Sequence, residues 1–359
     1  MVSELIRNRP WATEAGTARF ARRHDAGKDP SAFRNVAKMT LTSLGIGTYL
    51  GSPDDATDAR YTDAIVEAVR QGINVIDTAS NYRRGRSERC VGDAIGKLVQ
   101  MREVFRSELL VASKAGFVPL PDGFPDDPDA WFHSQTVGAG LAEPDELRCR
   151  CHCIAPRYLA AMVDRSLAAT GLSCIDVYYV HNPESQLQEI DRPAFHDRMR
   201  AAFAALEEAA DAGKIRVYGI ATWPGLRAVR SDRDYVSLDE MVQCAVDVAG
   251  TRHRFKAIQL PLNPAMPEAF SLNLQPNPDG GQTILDAATD LGLVTFTSAP
   301  LYQGRYGHTA VDTLRAITSV PGVTTALAGM SRIDHVRANI EAMSHPPMTA
   351  EERATWFAQ

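Results

Sequence analysis

Eight short β-rich runs, each followed by a helical pattern, restrict the fold of this chain more than any other feature. The runs are Ser43–Tyr49, Ile73–Asp77, Leu109–Lys114, Ile175–His181, Arg216–Ala221, Ala257–Pro261, Leu293–Ser298 and Val323–Ala328. The first helical pattern is expected over 58–71, with Tyr61, Ala64, Ile65, Ala68 and Val69 on one face and Gly72 as the stop. The next reads as N-capped by Ser87 and buries Val91, Ala94, Ile95 and Leu98. Others carry Tyr158, Leu159, Met162 and Val163 up to Gly171, and Phe195, Met199, Phe203 and Leu206 up to Gly213. Later patterns cover 238–248, 283–291, 311–318 and 333–343. Eight strand–helix units predict an α/β fold of the (β/α)8 TIM-barrel type, a single domain over 42–345.

The competing arrangement is a doubly wound open sheet, for which Gly45-Ile46-Gly47-Thr48-Tyr49-Leu50-Gly51 is the tempting fingerprint. Its last glycine falls one residue late for a dinucleotide loop, and no helix opens directly behind it. Asp77, the first acidic strand end, lies about 30 residues on rather than about 20. The barrel is therefore preferred. Two segments exceed a minimal barrel. An N-terminal extension (1–41) holds Pro10, Trp11, Phe20 and Phe33 and is expected to pack against the body. A loop over 115–155, rich in Pro, Gly and Asp, leaves the strand end where barrel active sites lie and carries Trp131, Phe132 and His133. It reads as a lid or binding loop, or as a surface excursion. Residues 346–359 form a tail.

At 359 residues with 45% hydrophobic and 23% charged content, the chain has the composition of a folded globular protein. A net charge of -6 without a basic stripe argues against nucleic acid as a partner. No apolar run reaches the length of a membrane helix, and the first 28 residues hold no signal-like apolar block, so a cytoplasmic protein without a membrane partner is expected. Oligomeric state stays open. Three of the six cysteines crowd into Cys149-Arg150-Cys151-His152-Cys153. One-residue gaps suit a tetrahedral metal poorly and no second pair is evident, so reduced thiols and no metal are expected.

In a barrel the C-terminal strand ends carry the chemistry. Here they supply Asp77, Lys114 and His181 on consecutive strands, with Tyr82 five residues after Asp77. A phenol titrates near 10 and transfers protons poorly at neutral pH; a neighbouring ammonium lowers that value, and a carboxylate keeps the ammonium charged and in place. A histidine beside them can orient a carbonyl oxygen. The set makes a proton-donating pocket for a carbonyl that receives a hydride. A metal-dependent barrel hydrolase would need paired histidines at strand ends, and only His181 sits at one.

Asp77-Thr78-Ala79-Ser80-Asn81-Tyr82, then Ser87-Glu88, Lys114 and His181 in this order, resembles the aldo-keto reductases. The resemblance runs from about Leu44 to Asn339. It implies Asp77, Tyr82, Lys114 and His181 as catalytic and Tyr82 as general acid/base. It also implies a nicotinamide dinucleotide held without a Rossmann motif, NADP(H) ahead of NAD(H). By resemblance, Gly47, Thr48, Tyr49 and Asp77 lie beside the nicotinamide, with Thr222 and Gln259 as carboxamide partners. Ser298 falls where the aromatic stacking on the nicotinamide usually lies, Leu301, Gln303, Gly304 and Arg305 along the pyrophosphate, and Gly329, Ser331, Arg332 and Asn339 near the adenosine 2′-phosphate and adenine. The chain departs from the pattern in Ala221-Thr222 for Ser-Asn and in Gly329-Met330 for Lys-Ser. It also lacks the usual stacking aromatic at Ser298-Ala299, for which Phe296 and Tyr302 are candidate stand-ins. For the substrate pocket Trp131, Phe132, Asn182, Trp223 and Tyr302 are the candidates. Two activities follow: an NADP(H)-dependent carbonyl reductase or alcohol dehydrogenase acting on a small carbonyl compound, or a coenzyme-binding regulatory subunit of the same fold with little turnover.

Overall fold

The computed structural model describes residues 9–278 and 280–358. A first hairpin, β1 (Phe33–Val36) and β2 (Met39–Thr42), precedes the barrel. The barrel strands are β3 (Leu44–Gly47), β4 (Val75–Asp77) and β5 (Leu110–Ala115), then, beyond a second small hairpin of β6 (Leu147–Arg148) and β7 (His152–Cys153), β8 (Ile175–His181), β9 (Ile215–Ala221), β10 (Phe255–Pro261), β11 (Val294–Ser298) and β12 (Thr325–Gly329). These eight strands are parallel and close, β12 pairing β3 with Ala326 opposite Leu44. The expected barrel is thus observed, with every strand boundary within two residues of its expected place and Asp77, His181, Ala221, Pro261 and Ser298 as ends in both.

Burial follows from the pleat. Val75, Leu110, Ala112, Val177, Tyr179, Ala257, Val294, Phe296 and Leu327 point into the barrel and form its inner layer, while larger clusters lie between strands and helices. Gly219 is required where β9 and β10 shift register, because a Cβ there would stand 1.8 Å from the Ala257 carbonyl oxygen. The N-terminal extension closes the barrel floor. Leu41 joins the inner layer, Phe20 is fully buried, and Arg216 stacks 4.5 Å from the Trp11 ring. Residues 1–8 of that extension and Gln359 of the tail lie outside the described residues.

Two capping expectations are corrected. The first barrel helix begins at Asp55, not Asp58, because Asp54 accepts from Thr57 N at 2.7 Å and caps it earlier. Ser87 does not cap its helix, which starts at Arg86 behind the left-handed Gly85. Its hydroxyl instead donates to the Thr48 carbonyl oxygen at 2.7 Å and ties this helix to the loop after β3. The 115–155 segment folds into a helix, Pro128–Gln135, and the β6–β7 hairpin. Among the described residues no helix is long and apolar enough to cross a membrane.

Candidate active site

Three strand ends and one loop meet at the C-terminal mouth. Lys114 is fully buried and its ammonium has three acceptors: Asp77 Oδ2 at 2.6 Å, the Thr78 carbonyl at 2.8 Å and the Tyr82 hydroxyl oxygen at 3.2 Å. An ammonium has three protons, so all are committed. The Tyr82 oxygen accepts from Lys114, which leaves its own proton free for an acceptor in the cavity. Asp77 is held on its other oxygen by Gln259 Nε2 at 2.8 Å. The His181 ring stands edge-on to Tyr82, centroids 5.8 Å apart, and Tyr49 flanks Tyr82 at 5.0 Å.

The loop bearing Tyr82 is clamped in a costly conformation. Arg83 and Arg84 both adopt left-handed backbone, φ 49° and 61°. Such residues cost of order 1–3 kcal/mol each and persist only when their surroundings over-determine them. Here the buried Arg83 guanidinium pairs with Asp58, donates to Ser52 O at 3.0 Å and stacks on Tyr61, while Arg86 takes the other Asp58 oxygen at 2.8 Å.

Electrostatics give each group a protonation state. Burial pushes the Lys114 ammonium down, but Asp77 and Tyr82 outweigh it and hold its pKa above the ordinary lysine value. Burial raises Tyr82 above the ordinary phenol range, with Lys114 working against that rise. This corrects the expected depression: desolvation of the phenolate exceeds the attraction of one ammonium already shared with a carboxylate. His181 is held well below its usual value by burial, with Lys114 and His152 adding to the effect. At neutral pH the site therefore presents a neutral phenol and a neutral imidazole.

The mouth opens into a cavity of about 880 Å3. It brings together most of the residues singled out in the sequence: Gly47, Thr48, Tyr49, Asp77, Tyr82, His181, Asn182, Thr222, Trp223, Gln259, Ser298, Leu301, Gln303, Gly304, Gly329, Ser331 and Asn339. Several others stand apart from it. Phe296 is buried in the inner barrel layer. Trp131 donates to the Pro119 carbonyl at 3.0 Å and Phe132 packs against the core, because the helix Pro128–Gln135 turns both away from the mouth. Arg305 stacks on Tyr302, 4.6 Å from its centroid, and neither lines the cavity. Arg332 pairs with Asp334. Sequence reasoning missed Leu50, Asn81, Phe117, Leu327 and His335 among the lining residues. Asn81 and Phe117 lie next to Tyr82 and three residues beyond Lys114, a proximity that could have flagged them.

Among the described residues no cluster of three His, Cys, Asp or Glu side chains could hold a metal. A closed parallel barrel thus carries a buried lysine–aspartate pair beneath a neutral tyrosine at its C-terminal mouth. The sequence profile of the Aldo/keto reductase family matches residues 43–240, and the chain belongs to that family. It is 30% identical to the NADH-specific methylglyoxal reductase of Escherichia coli over 51% of this chain, a match spanning about half (49%) of that protein. It is 24% identical to an uncharacterized oxidoreductase of Bacillus subtilis, covering 88% of this chain and 92% of the other. Among solved structures, the holo aldo-keto reductase AKR11C1 from Bacillus halodurans superposes with a TM-score of 0.59 at 20% identity, over 90% and 94% of the two chains. A Klebsiella pneumoniae aldo/keto reductase in complex with NADP and acetate gives 0.59 at 18%, over 90% and 94%.

Proposed function

We propose that this chain reduces an aldehyde or ketone by hydride transfer, with Tyr82 giving the proton. The observation that carries this reading is the committed Lys114 ammonium, which leaves the Tyr82 proton aimed at the cavity. The cavity suits an extended dinucleotide: the polar side chains of Thr222, Gln259, Gln303, Ser331 and Asn339 line it, and among the described residues His181 Nδ1 and Asn81 Oδ1, of two further lining side chains, are buried without a partner. A bound nicotinamide dinucleotide supplies the hydride. The chain's own residues do the rest. His181 hydrogen-bonds the substrate carbonyl oxygen and orients it toward Tyr82, which protonates it as negative charge develops. Lys114 then stabilises the phenolate left behind, and Asp77 keeps Lys114 charged.

NADP(H) stands ahead of NAD(H) in this reading insofar as a 2′-phosphate draws Arg332 away from Asp334. Relatives of both kinds fit, one named NADH-specific and one solved with NADP. The substrate is an uncharged carbonyl compound with an apolar flank. Among the described residues none that line the cavity is Arg or Lys, and Tyr49, Leu50, Phe117 and Trp223 give it aromatic and aliphatic walls. Beside Tyr82, flanked by Tyr49, and beside His181, flanked by Phe117, a substrate carboxylate would be desolvated without a counter-charge.

Fluorescence titration with NADPH and NADH, followed by a carbonyl panel monitored at the nicotinamide absorbance, tests this reading. The panel pairs benzaldehyde with 4-carboxybenzaldehyde, and the neutral member is expected to be the better substrate. Because the reacting form of Tyr82 is the neutral phenol and its pKa is raised, reduction should be flat through neutral pH and fall only on the alkaline side. Coenzyme binding without turnover across the panel would instead favour a regulatory role.

A further inference from the structure

The 115–155 segment places no side chain among the four reacting residues, yet it reaches His181 from behind. Its returning strand β7 pairs with the chain leaving β5: Val118 N donates to Cys151 O and Cys153 N to Gly116 O, both at 2.8 Å. This pairing delivers His152, fully buried, to the catalytic histidine. His152 Nε2 lies 2.8 Å from the His181 carbonyl oxygen, and its Nδ1 lies 2.8 Å from Gln186 Nε2.

The partners decide where the proton sits. Arg198 Nη1 donates to Gln186 Oε1 at 2.8 Å, and a guanidinium only donates, so the amide oxygen must face Arg198. The Gln186 NH2 then faces His152, where it also donates to the His152 carbonyl at 3.3 Å. His152 Nδ1 therefore accepts, and its Nε2–H donates to the His181 carbonyl. Burial lowers His152 to about 4, so the neutral ring persists at neutral pH. The approach leaves no room for another side chain. A Cβ on Gly116 would stand 2.4 Å from the His181 carbonyl oxygen and 2.9 Å from His152 Nε2. Beyond His181 the backbone turns through the left-handed Asn182, φ 45°, whose N–H donates to Ala221 O at 2.6 Å. Phe117, whose ring stands 4.9 Å from His152 and 5.4 Å from His181, walls the same corner and lines the cavity.

We propose that His152 is a positioning residue: the relay Arg198–Gln186–His152 fixes the His181 backbone and so sets the imidazole against the substrate carbonyl. The inference rests on the carbonyl-reductase reading, and it makes the long loop part of the active site. His152→Leu removes the donor at comparable volume, whereas His152→Gln keeps an N–H at similar reach. Misplacing a reacting group by a fraction of an ångström to an ångström costs up to about 10²-fold, so His152→Leu should lower kcat about 10- to 100-fold. KM and NADPH affinity should change little, and His152→Gln should recover most of the rate. In coenzyme-free protein the His181 imidazole 15N resonances should move in His152→Leu and return in His152→Gln. Gln186→Leu, which strips the orienting amide from the outer side, should give the same loss if His152→Leu does not fold.

An unchanged kcat with unmoved His181 resonances in a folded His152→Leu or Gln186→Leu protein overturns the proposal. So does a His152→Gln protein that is folded but as slow as His152→Leu. If the wild type reduces no carbonyl at all, the functional reading fails, while the His181 resonances still decide the positioning role.

Discussion

The two ends of the barrel put their buried carboxylates and amides to different use. At the N-terminal end, Asp176 accepts from Ala12 N at 2.6 Å, Val111 N at 2.8 Å and Arg106 Nη2 at 2.7 Å. Asn74 accepts from Thr42 N and donates to Thr40 O. Glu108 takes Arg19 and Arg23 on separate oxygens at 2.6 and 2.8 Å. At the C-terminal end, Ser80 Oγ, Asn81 Oδ1 and His181 Nδ1 are buried without a partner, and Arg83, Arg84, Asn182, Ala299 and Gln303 adopt left-handed backbone. Unpaired atoms and left-handed residues occur at both ends, with Arg19 Nη2, Arg106 Nε, Ala37, Lys38 and Arg102 at the first. What differs is that at the second end they belong to residues lining the cavity, Asn81, His181, Asn182, Ala299 and Gln303, where a ligand can complete them.

That contrast can be broken by substitution. Lys114→Met should do the greatest harm, because it acts at the reactive end on a residue that also holds the fold. Removing one member of a buried ion pair costs about 3–5 kcal/mol, seen by urea denaturation. Turnover should fall by at least about 10², since Tyr82 loses the cation that stabilises its phenolate. Asp176→Ala strands Arg106 at the other end and should cost a similar 3–5 kcal/mol of stability, yet leave kcat per folded molecule unchanged. A clear drop in kcat there would dissolve the division between the two ends.

Glu184 sharpens the comparison, being a buried carboxyl at the reactive end. Burial pushes it up to about 7, against the N–H groups of Trp223 and Gly225, which donate to its Oε1. The folded protein then holds a proton that the unfolded chain releases between its ordinary value of 4.5 and about 7. Stability from this group is present below that window and declines as pH rises through it. Melting curves of Glu184→Gln should lack this part of the decline, and identical slopes for variant and wild type would contradict the assignment. The smallest effect is expected from Trp131→Phe, which keeps an aromatic ring but gives up the hydrogen bond to Pro119, about 1 kcal/mol, with kcat and KM unchanged.

The barrel and the meeting of Asp77, Tyr82, Lys114 and His181 at its mouth were legible in the sequence for one physical reason. A strand's period of two and its abrupt polar end are local signals, and the barrel turns each such end toward the same mouth. Asp77, Lys114 and His181 needed nothing more. Trp131 and Phe132 were misjudged because composition flags an aromatic on a long loop but not the helix that carries it away from the cavity. His152 and Phe117 escaped notice because they meet through a two-residue strand, too short to carry a period. Ser87 has the residue type of a helix cap, and only the structure shows that its hydroxyl serves Thr48 instead. The direction of the Tyr82 shift was misread for a related reason: the sequence names its charged neighbours but not the depth at which they are buried.

The central claim is that Tyr82 delivers the proton. Tyr82→Phe keeps the ring packed between Tyr49 and His181 and removes only the hydroxyl. In a single turnover with bound NADPH and a carbonyl substrate of the wild type, hydride transfer should slow by about 10²–10⁴-fold while NADPH affinity stays that of the wild type. Hydride transfer at the wild-type rate in Tyr82→Phe would contradict the assignment.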